Sequence, residues 1–173
     1  FFKRSSTNAV GNVLKAEAVS SLYRRLPDES QNSEQGQKVK IFLERSILLQ
    51  KGTVIENFIM MNPKGKAFSL HSVSAKFILL DFWASWCGPC KTEIPFAKSM
   101  EEKLKGKDIV FLCVSIDKSK ESWLKCLDEK QPAGIHICVD DPSASISADY
   151  DVASIPRYVI IDKKGNLVDA NAK

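Results

Sequence analysis

Two cysteines in the sequence Cys87-Gly88-Pro89-Cys90 carry the clearest chemical signal in this chain. A thiolate is the nucleophile in thiol–disulfide exchange, and a second thiol close by can resolve the mixed disulfide that forms. Two intervening residues on a helical turn leave the sulfurs close enough to bond. The pair can therefore cycle between a dithiol and a disulfide and exchange two electrons with another molecule.

The elements on either side of the pair determine its reactivity. The apolar run from Phe77 to Phe82 predicts a buried strand, and residues 87–104 predict a helix. The pair thus lies where the helix begins, and the free N–H groups and dipole of a helix N-terminus stabilise a thiolate. We expect Cys87, at the exposed start of the helix, to be the nucleophile, and Cys90 to be the buried resolving thiol.

A Cys-x-x-Cys pair also occurs in zinc sites and in structural disulfides. Zinc needs four ligands, usually two such pairs or one pair with histidines. None of the other candidate ligands stands at a ligand spacing: His71, His136, Cys113, Cys126 and Cys138. The sequence therefore favours a redox-active pair without metal or other cofactor, because the dithiol itself carries the two electrons.

Composition excludes several other classes of protein. The 173 residues are 44% apolar and 27% charged, which is ordinary for a globular protein, and the net charge is only +4. The basic residues are scattered, so nucleic acid is not an expected partner. No apolar run reaches the roughly 18 residues that a membrane span requires. The chain begins Phe-Phe-Lys-Arg without an initiator Met, so we expect it to be a fragment of a longer precursor.

Residues 1–51 and residues 52–173 differ in pattern. The first segment predicts helices over 13–26 and 37–50 with a loop from Asp28 to Gly36. It carries no catalytic signal, and we interpret it as a helical N-terminal extension or the tail of a preceding domain. The side chains expected to point inward from the second helix, and the glycine expected to stop it, are Val39, Phe42, Leu43, Ile47 and Gly52.

From residue 52 onward, short apolar strands alternate with helices, which predicts an α/β fold with parallel pairing. Hairpins at either end add antiparallel strands, so we expect a mixed sheet with helices on both faces. The predicted strands are 58–61, 67–70, 77–82, 109–116, 135–139, 157–162 and 166–170, and the predicted helices are 87–104 and 119–129, with a helix or turn over 142–150.

The segment from Phe77 to Pro95 resembles the active site of the thioredoxin superfamily, and specifically of the TlpA/ResA/DsbE-like branch of bacterial envelope oxidoreductases. Pro95 stands where this family kinks its active-site helix, and Ile155-Pro156 stands where it places a cis-proline. The final hairpin and a helix-and-strand insert over 119–139 also match. The likeness covers roughly residues 52–171. It implies a thioredoxin-like three-layer sandwich with a mixed central sheet over residues 52–173.

The resemblance implies roles for several side chains. Pro156, in a cis bond, would lie against the cysteine pair and leave the Ile155 backbone free to pair with substrate. Asp81 matches the acid that helps move the proton of the resolving cysteine, and burial would raise its pKa. Glu93 matches an acid that tunes the thiols in this branch. A trans proline and purely structural acids are the alternatives, and the sequence does not rank Asp81 against Glu93.

The rim of the site is expected to contact substrate. Trp86 would shield the sulfurs, whereas Trp83 is a candidate for core packing. Arg157 departs from the threonine usual in thioredoxins, and its charge would favour the thiolate or acidic partners unless it is a solvated rim residue. The expected substrate-binding residues are Trp86, Gly88, Pro89, Ile155, Pro156 and Arg157.

The expected function is thiol–disulfide exchange between the Cys87/Cys90 dithiol and disulfides of partner proteins. The Gly-Pro dipeptide is that of thioredoxin, which favours reduction. A thioredoxin-like binding module or a copper-handling protein without redox turnover is the alternative. The resemblance implies that the protein works in the bacterial periplasm or cell envelope and receives electrons from a membrane-bound or soluble thiol donor. It also allows a membrane anchor before residue 1.

Two further expectations concern the other cysteines and the chain end. Cys113 lies in an apolar strand and is expected to be a buried, inert thiol. Cys126 and Cys138 fall on adjacent elements, and the sequence leaves open whether they pair. The family's fold ends with a helix, so we expect the protein to continue beyond residue 173.

Overall fold

The computed structural model describes residues 18–48, 51–55, 57–139, 152 and 154–172. The chain separates into two compact units, Phe1–Gln50 and Lys51–Lys173. Within the described ranges, none of the helices combines the length and the apolar character that crossing a bilayer requires.

The first unit is helical. Residues 18–24 form a helix, followed by α1 (Asp28–Asn32) and α2 (Glu34–Leu48). The predicted loop over 28–36 is therefore wrong. Pro27 caps a short helix whose first turn holds two acidic residues, and negative charge there is favoured by the helix dipole.

The inner face of α2 is narrower than predicted. Leu43 is buried and Val39 is half-buried, whereas Phe42 is 58% exposed, so its predicted inward position is wrong. Adjacent helical residues point about 100° apart, so a narrow apolar stripe accommodates only one of Phe42 and Leu43. The side chain of Ile47 lies outside the described residues.

The second unit is built on a seven-stranded sheet with strand order β2-β1-β5-β4-β3-β6-β7. Strands β3, β4 and β5 run parallel, and the other pairings are antiparallel. The strands are β1 (Ile59–Met61), β2 (Ala67–Ser69), β3 (Phe77–Trp83), β4 (Ile109–Ser115), β5 (Ile135–Cys138), β6 (Arg157–Asp162) and β7 (Leu167–Asp169).

Two helices of this unit connect its parallel strands. Helix α3 (Gly88–Lys103) joins β3 to β4, and α4 (Lys120–Lys130) joins β4 to β5. Trp123 of α4 is fully buried. The predicted α/β order is confirmed, and the helix or turn expected over 142–150 lies outside the described residues.

The core lies on both faces of the central strands. Leu80 of β3 and Leu112 of β4 lie on one face and have no exposed surface, and Trp83 and Phe111 are buried on the other face. Continuous apolar runs are typical of parallel strands that are covered on both faces. The β3–β4 ladder pairs seven residues on each strand, from Phe77 opposite Ile109 to Trp83 opposite Ser115, and so fixes where both strands end.

Gly134 makes the tight entry into β5. Its φ is +95°, and a Cβ atom there would lie 2.8 Å from the carbonyl oxygen of Phe111 in β4. Only glycine adopts this conformation and this close approach without strain.

We therefore predict that Gly134→Ala lowers the free energy of unfolding by about 2 kcal/mol or more, because it adds backbone strain and a clash with β4. Urea unfolding measures the effect. Gly88→Ala is the matched control, since a Cβ atom there meets nothing within 4 Å, and it should change stability by no more than about 0.5 kcal/mol. Equal losses in the two variants would contradict the prediction.

Candidate active site

Cys87 and Cys90 form a disulfide at the start of α3. The S–S distance is 2.07 Å and the Cα atoms are 5.3 Å apart. Cys87 is the N-cap residue of the helix, and its Sγ accepts a hydrogen bond from the backbone N–H of Cys90 at 3.1 Å. The first sulfur therefore receives the N–H group that would stabilise a thiolate at this position.

Both cysteines are buried, with 4% of Cys87 and 5% of Cys90 exposed. The expectation that Cys87 is exposed is therefore wrong. Its Sγ lies 3.9 Å from the carbonyl oxygen of Ile155. The loop before β6, which is distant in the sequence, therefore covers this sulfur. The cover is thin, because the flanking Trp86, Gly88 and Pro89 are all exposed.

The loop before β6 carries a cis peptide bond between Ile155 and Pro156, as the resemblance implies. Arg157 then stands opposite Phe82 in the β3–β6 ladder, and Tyr158 stands opposite Asp81. Because neighbouring strand residues point to opposite faces, the half-buried Arg157 lies on the sheet face away from Asp81.

A buried carboxylate fixes the turn before the disulfide. Asp117 accepts hydrogen bonds from the backbone N–H of Ser85 at 2.8 Å, from the Ser85 hydroxyl at 2.6 Å and from the Ser115 hydroxyl at 2.7 Å. The N–H of Cys87 then donates to the carbonyl of Ala84 at 3.0 Å. Asp117 therefore holds the chain segment that leads into the nucleophile.

Sequence reasoning missed Asp117, although a signal was available. Asp117 closely follows β4, and Ser85 closely follows β3. These strands are parallel neighbours, and the carboxyl ends of parallel strands meet at one edge of the sheet. Polar residues just beyond two such strands are therefore expected to come together.

A small cavity lies behind the disulfide. Its volume is about 20 Å³, which is room for a single water molecule. Side chains from the sheet, from α3 and from the insert line it: Asp81, Trp83, Cys90, Glu93, Ile94, Ala97, Cys113, Pro132, Ala133, His136 and Tyr158. The structure thus brings both predicted acids to the inner side of Cys90.

Asp81 occupies the middle of the sheet on this face. Its neighbours across the ladders are Cys113 on β4 and Tyr158 on β6. Burial, and secondarily the charge of Glu93, raises the pKa of Asp81 from 3.8 to about 7. Among the described residues, none donates a hydrogen bond to its Oδ1. Asp81 is therefore a carboxyl group that gains and loses its proton near neutral pH.

Glu93 approaches from α3 and is held by a tyrosine. The hydroxyl of Tyr158 donates a hydrogen bond to Glu93 Oε2. Burial, with the nearby Asp81 as the next cause, raises the pKa of Tyr158. Tyr158 was also missed from the sequence, because its position depends on the register of β6 against β3.

The other three cysteines are buried and form no disulfide in the structure, so Cys126 and Cys138 do not pair. Burial, followed by the charge of Asp81, raises the pKa of Cys113 well above its usual value. This is consistent with an inert thiol. The sulfur of Cys138 lies 3.6 Å from the hydroxyl of Ser115, within the network that holds Asp117.

Histidines do not assemble a metal site in the part of the chain that the structure describes. No group of three or more histidine, cysteine, aspartate or glutamate side chains there is arranged to hold a metal ion. His136 lines the cavity and contacts Trp83 edge-on, with ring centroids 6.1 Å apart. Burial lowers the pKa of His136, which favours the neutral imidazole.

Known proteins are similar to this chain in sequence and in fold. The profile of the family described as Redoxin matches residues 49–173. A thiol-disulfide oxidoreductase ResA of Bacillus cereus is 29% identical over 124 residues, which are 70% of this chain and 69% of that protein. The thioredoxin-like protein YneN of Bacillus subtilis is 27% identical over 129 residues, covering 74% of this chain and 75% of that protein.

A solved structure agrees with these relatives. The thioredoxin domain of a thiol-disulfide oxidoreductase from Bacteroides vulgatus is 25% identical and superposes with a TM-score of 0.65. The match covers 70% of this chain and 87% of that structure. The predicted resemblance and the predicted thioredoxin-like fold are both confirmed. Because the family profile spans well over half of the chain and the cysteine pair is bonded as exchange requires, this protein belongs to the Redoxin family and is a thiol–disulfide oxidoreductase.

Proposed function

We propose that this oxidoreductase reduces disulfides of partner proteins, with Cys87 as the attacking thiolate and Cys90 as the resolving thiol. The observation that carries the assignment is the position of the Cys87 sulfur at the N-terminus of α3, where it accepts the N–H of Cys90. A helix N-terminus favours the thiolate form, which is the nucleophile.

The reaction proceeds in two exchanges. The Cys87 thiolate attacks one sulfur of the partner's disulfide, forming a mixed disulfide and releasing the other sulfur as a thiolate, which takes up a proton. Cys90 then attacks Cys87 Sγ, forms the intramolecular disulfide and releases the second partner sulfur. Two electrons pass to the partner, and a thiol donor must reduce the enzyme again.

Substrate is proposed to approach over the thin cover of Cys87. Trp86 is 65% exposed, and Gly88 and Pro89 beside it are exposed as well. On the other side, the carbonyl of Ile155 already lies 3.9 Å from the sulfur. An extended partner segment would pair with the backbone of this loop, with Pro156 and Arg157 completing the contact surface.

The proton of Cys90 is proposed to pass to an acid in the cavity. Asp81 and Glu93 both line that cavity with Cys90. Because burial raises the pKa of Asp81 to about 7, its carboxyl group accepts and returns a proton without a large free-energy penalty at neutral pH. We propose Asp81 and Glu93 as the acids that serve Cys90.

The wider setting is proposed from the resemblance. Residues 52–173 form the catalytic domain and residues 1–51 a helical extension, in accord with the two compact units. Likeness to ResA supports a place in the bacterial periplasm or cell envelope. There, a membrane-bound or soluble thiol donor would keep the cysteines reduced, and an anchor preceding residue 1 would hold the enzyme at the membrane.

Substitution of each cysteine tests the assigned roles. Cys87→Ser should reduce insulin disulfide cleavage to the uncatalysed rate, because the attacking sulfur is gone. Cys90→Ser should instead trap a mixed disulfide with the substrate, visible on a non-reducing gel. Cys126→Ser, at a free thiol of α4, is the control and should retain wild-type activity. Trapping by Cys87→Ser alone would reverse the roles, and full activity of that variant would refute them.

The proposed direction predicts a low reduction potential. With the Gly88-Pro89 dipeptide of thioredoxin, equilibration with a dithiol buffer should give a value nearer the roughly −270 mV of thioredoxin than the roughly −120 mV of the oxidant DsbA. A value at the oxidising end would assign the protein to disulfide formation.

The raised pKa of Asp81 predicts that stability depends on pH. The folded protein binds this proton more tightly than the unfolded chain, so the contribution is complete below about pH 4 and is lost as pH rises through about 7. The difference between 3.8 and about 7 corresponds to roughly 4 kcal/mol as an upper figure. Oxidised Asp81→Asn should therefore be more stable than wild type at about pH 8 by up to this amount.

Urea unfolding of the oxidised proteins across this pH range measures the effect. Asp108→Asn, at an exposed carboxylate, is the matched control and should keep the wild-type pH dependence. A stability curve for Asp81→Asn that runs parallel to that of wild type would show that Asp81 ionises as readily in the folded state as in the unfolded chain.

A further inference from the structure

A groove with a basic lining lies beside the active-site helix, and we call it the lysine groove. Its volume is about 530 Å³. It is lined by residues of α3 and by the last residue of α4: Lys91, Thr92, Ile94, Pro95, Lys98 and Lys130. Among these described lining residues every charged side chain is a lysine, and Ile94 and Pro95 add an apolar part. The fold thus brings together lysines that are scattered in the sequence.

The lysine groove is continuous with the start of α3, where the reacting sulfur lies. Lys91, Pro95 and Lys98 follow Gly88 at intervals of three, four and three residues, so they form a stripe on one face of the helix. Gly88 is exposed and directly follows Cys87. A protein segment that presents a disulfide to Cys87 therefore reaches the groove if it continues along this face of α3.

The positive charge of the groove is not neutralised within the described part of the chain. None of its three lysines forms an ion pair with an acid there. Glu129, the neighbour of Lys130 in the sequence, instead lies 3.9 Å from Lys125. A partner that carries negative charge would therefore meet lysines that have no competing carboxylate.

Two observations show that the lysines of α3 and α4 lie close together. The Nζ of Lys98 donates a hydrogen bond to the carbonyl oxygen of Lys130 at 3.3 Å, which joins the two helices. Burial raises the pKa of Cys126 on α4, and the charges of Lys91 and Lys130 both oppose that rise. The groove is therefore a concentrated patch of charge rather than a row of separate surface lysines.

Helix geometry sets where a partner's acids would have to be. Lys91 and Lys98 stand three and ten residues beyond Gly88, which corresponds to roughly 5 Å and 15 Å along the helix axis. An extended chain covers about 3.4 Å per residue. Acidic side chains about two to five residues from the partner's reacting cysteine would therefore reach the lysines.

We propose that the lysine groove is a docking site for an acidic segment of the partner protein, adjacent to the disulfide that Cys87 attacks. This inference rests on the proposed function and deepens it, because it names the substrate class: disulfides flanked by aspartate or glutamate. Ile94 and Pro95 contact the aliphatic parts of that segment. The lysines raise the rate of productive encounter and leave the exchange chemistry itself unchanged.

Single-turnover reduction of two peptides by the pre-reduced protein tests this proposal. Each peptide is a dimer joined by one disulfide, and three positions within about five residues of the cysteine are glutamate in one peptide and glutamine in the other. At low ionic strength the second-order rate constant should be about tenfold higher for the glutamate peptide. Salt at about 0.5 M should remove most of this preference, because it screens exposed charges.

A double substitution assigns the preference to the groove. Lys91→Gln with Lys130→Gln removes two of the charges and leaves Lys98 in place. The glutamate-to-glutamine rate ratio should then fall at least about threefold, whereas the glutamine peptide should react at nearly the wild-type rate. Lys163→Gln with Lys164→Gln removes the same charge from exposed positions after β6, at the end of the sheet away from Cys87, and should keep the wild-type ratio.

Equal losses of the ratio in the two double variants would attribute the preference to net charge and overturn the proposal. A wild-type ratio near one would also overturn it, and reduction of both peptides would leave the proposed function standing. Failure of the wild type to reduce either peptide would refute the proposed function itself. Vesicles of phosphatidylglycerol and phosphatidylcholine test another occupant. Vesicle binding that depends on Lys91 and Lys130, with a peptide ratio near one, would assign the groove to a membrane surface and overturn the proposal.

Discussion

The parallel pairing of β3 with β4 is the interaction on which the active site depends. It ends with Trp83 opposite Ser115, and the N–H of Ile116 donates to the carbonyl of Trp83 at 3.0 Å just beyond. That register places Asp117 beside Ser85, where it fixes the turn into Cys87. The position of the nucleophile is therefore set by hydrogen bonds between two strand ends as well as by its own helix.

The same sheet bears an energetic cost at its centre. Asp81 stands in β3 between Leu80 and Phe82, which are fully buried. The pKa of Asp81 is raised because the charged form of the carboxyl group is poorly solvated there. An apolar residue at this position would stabilise the fold. A carboxyl group that titrates near neutral pH beside Cys90 is instead suited to proton transfer, so the local conflict marks the functional site.

Much of the molecule could be predicted because its signals are local. The apolar run of β3, the helix start at Cys87 and the two end hairpins each depend on a few neighbouring residues, and all agree with the structure. The errors have equally specific causes. Residues 28–36 are mostly polar, which favours a loop, but the acids in this segment begin a short helix. Cys87 is covered by Ile155, a residue distant in the chain.

By itself, the sequence determined the fold class, the redox pair and its place at a strand-to-helix junction, because hydrophobic periodicity and helix-start chemistry act over short distances along the chain. Only the tertiary structure decided which groups surround the sulfurs. Tyr158 meets Asp81 and Glu93 through the antiparallel register of β6, and Asp117 meets Ser85 through the ends of two parallel strands. Such register is fixed by packing across the whole sheet, and a shift of one residue would turn these side chains to the opposite face.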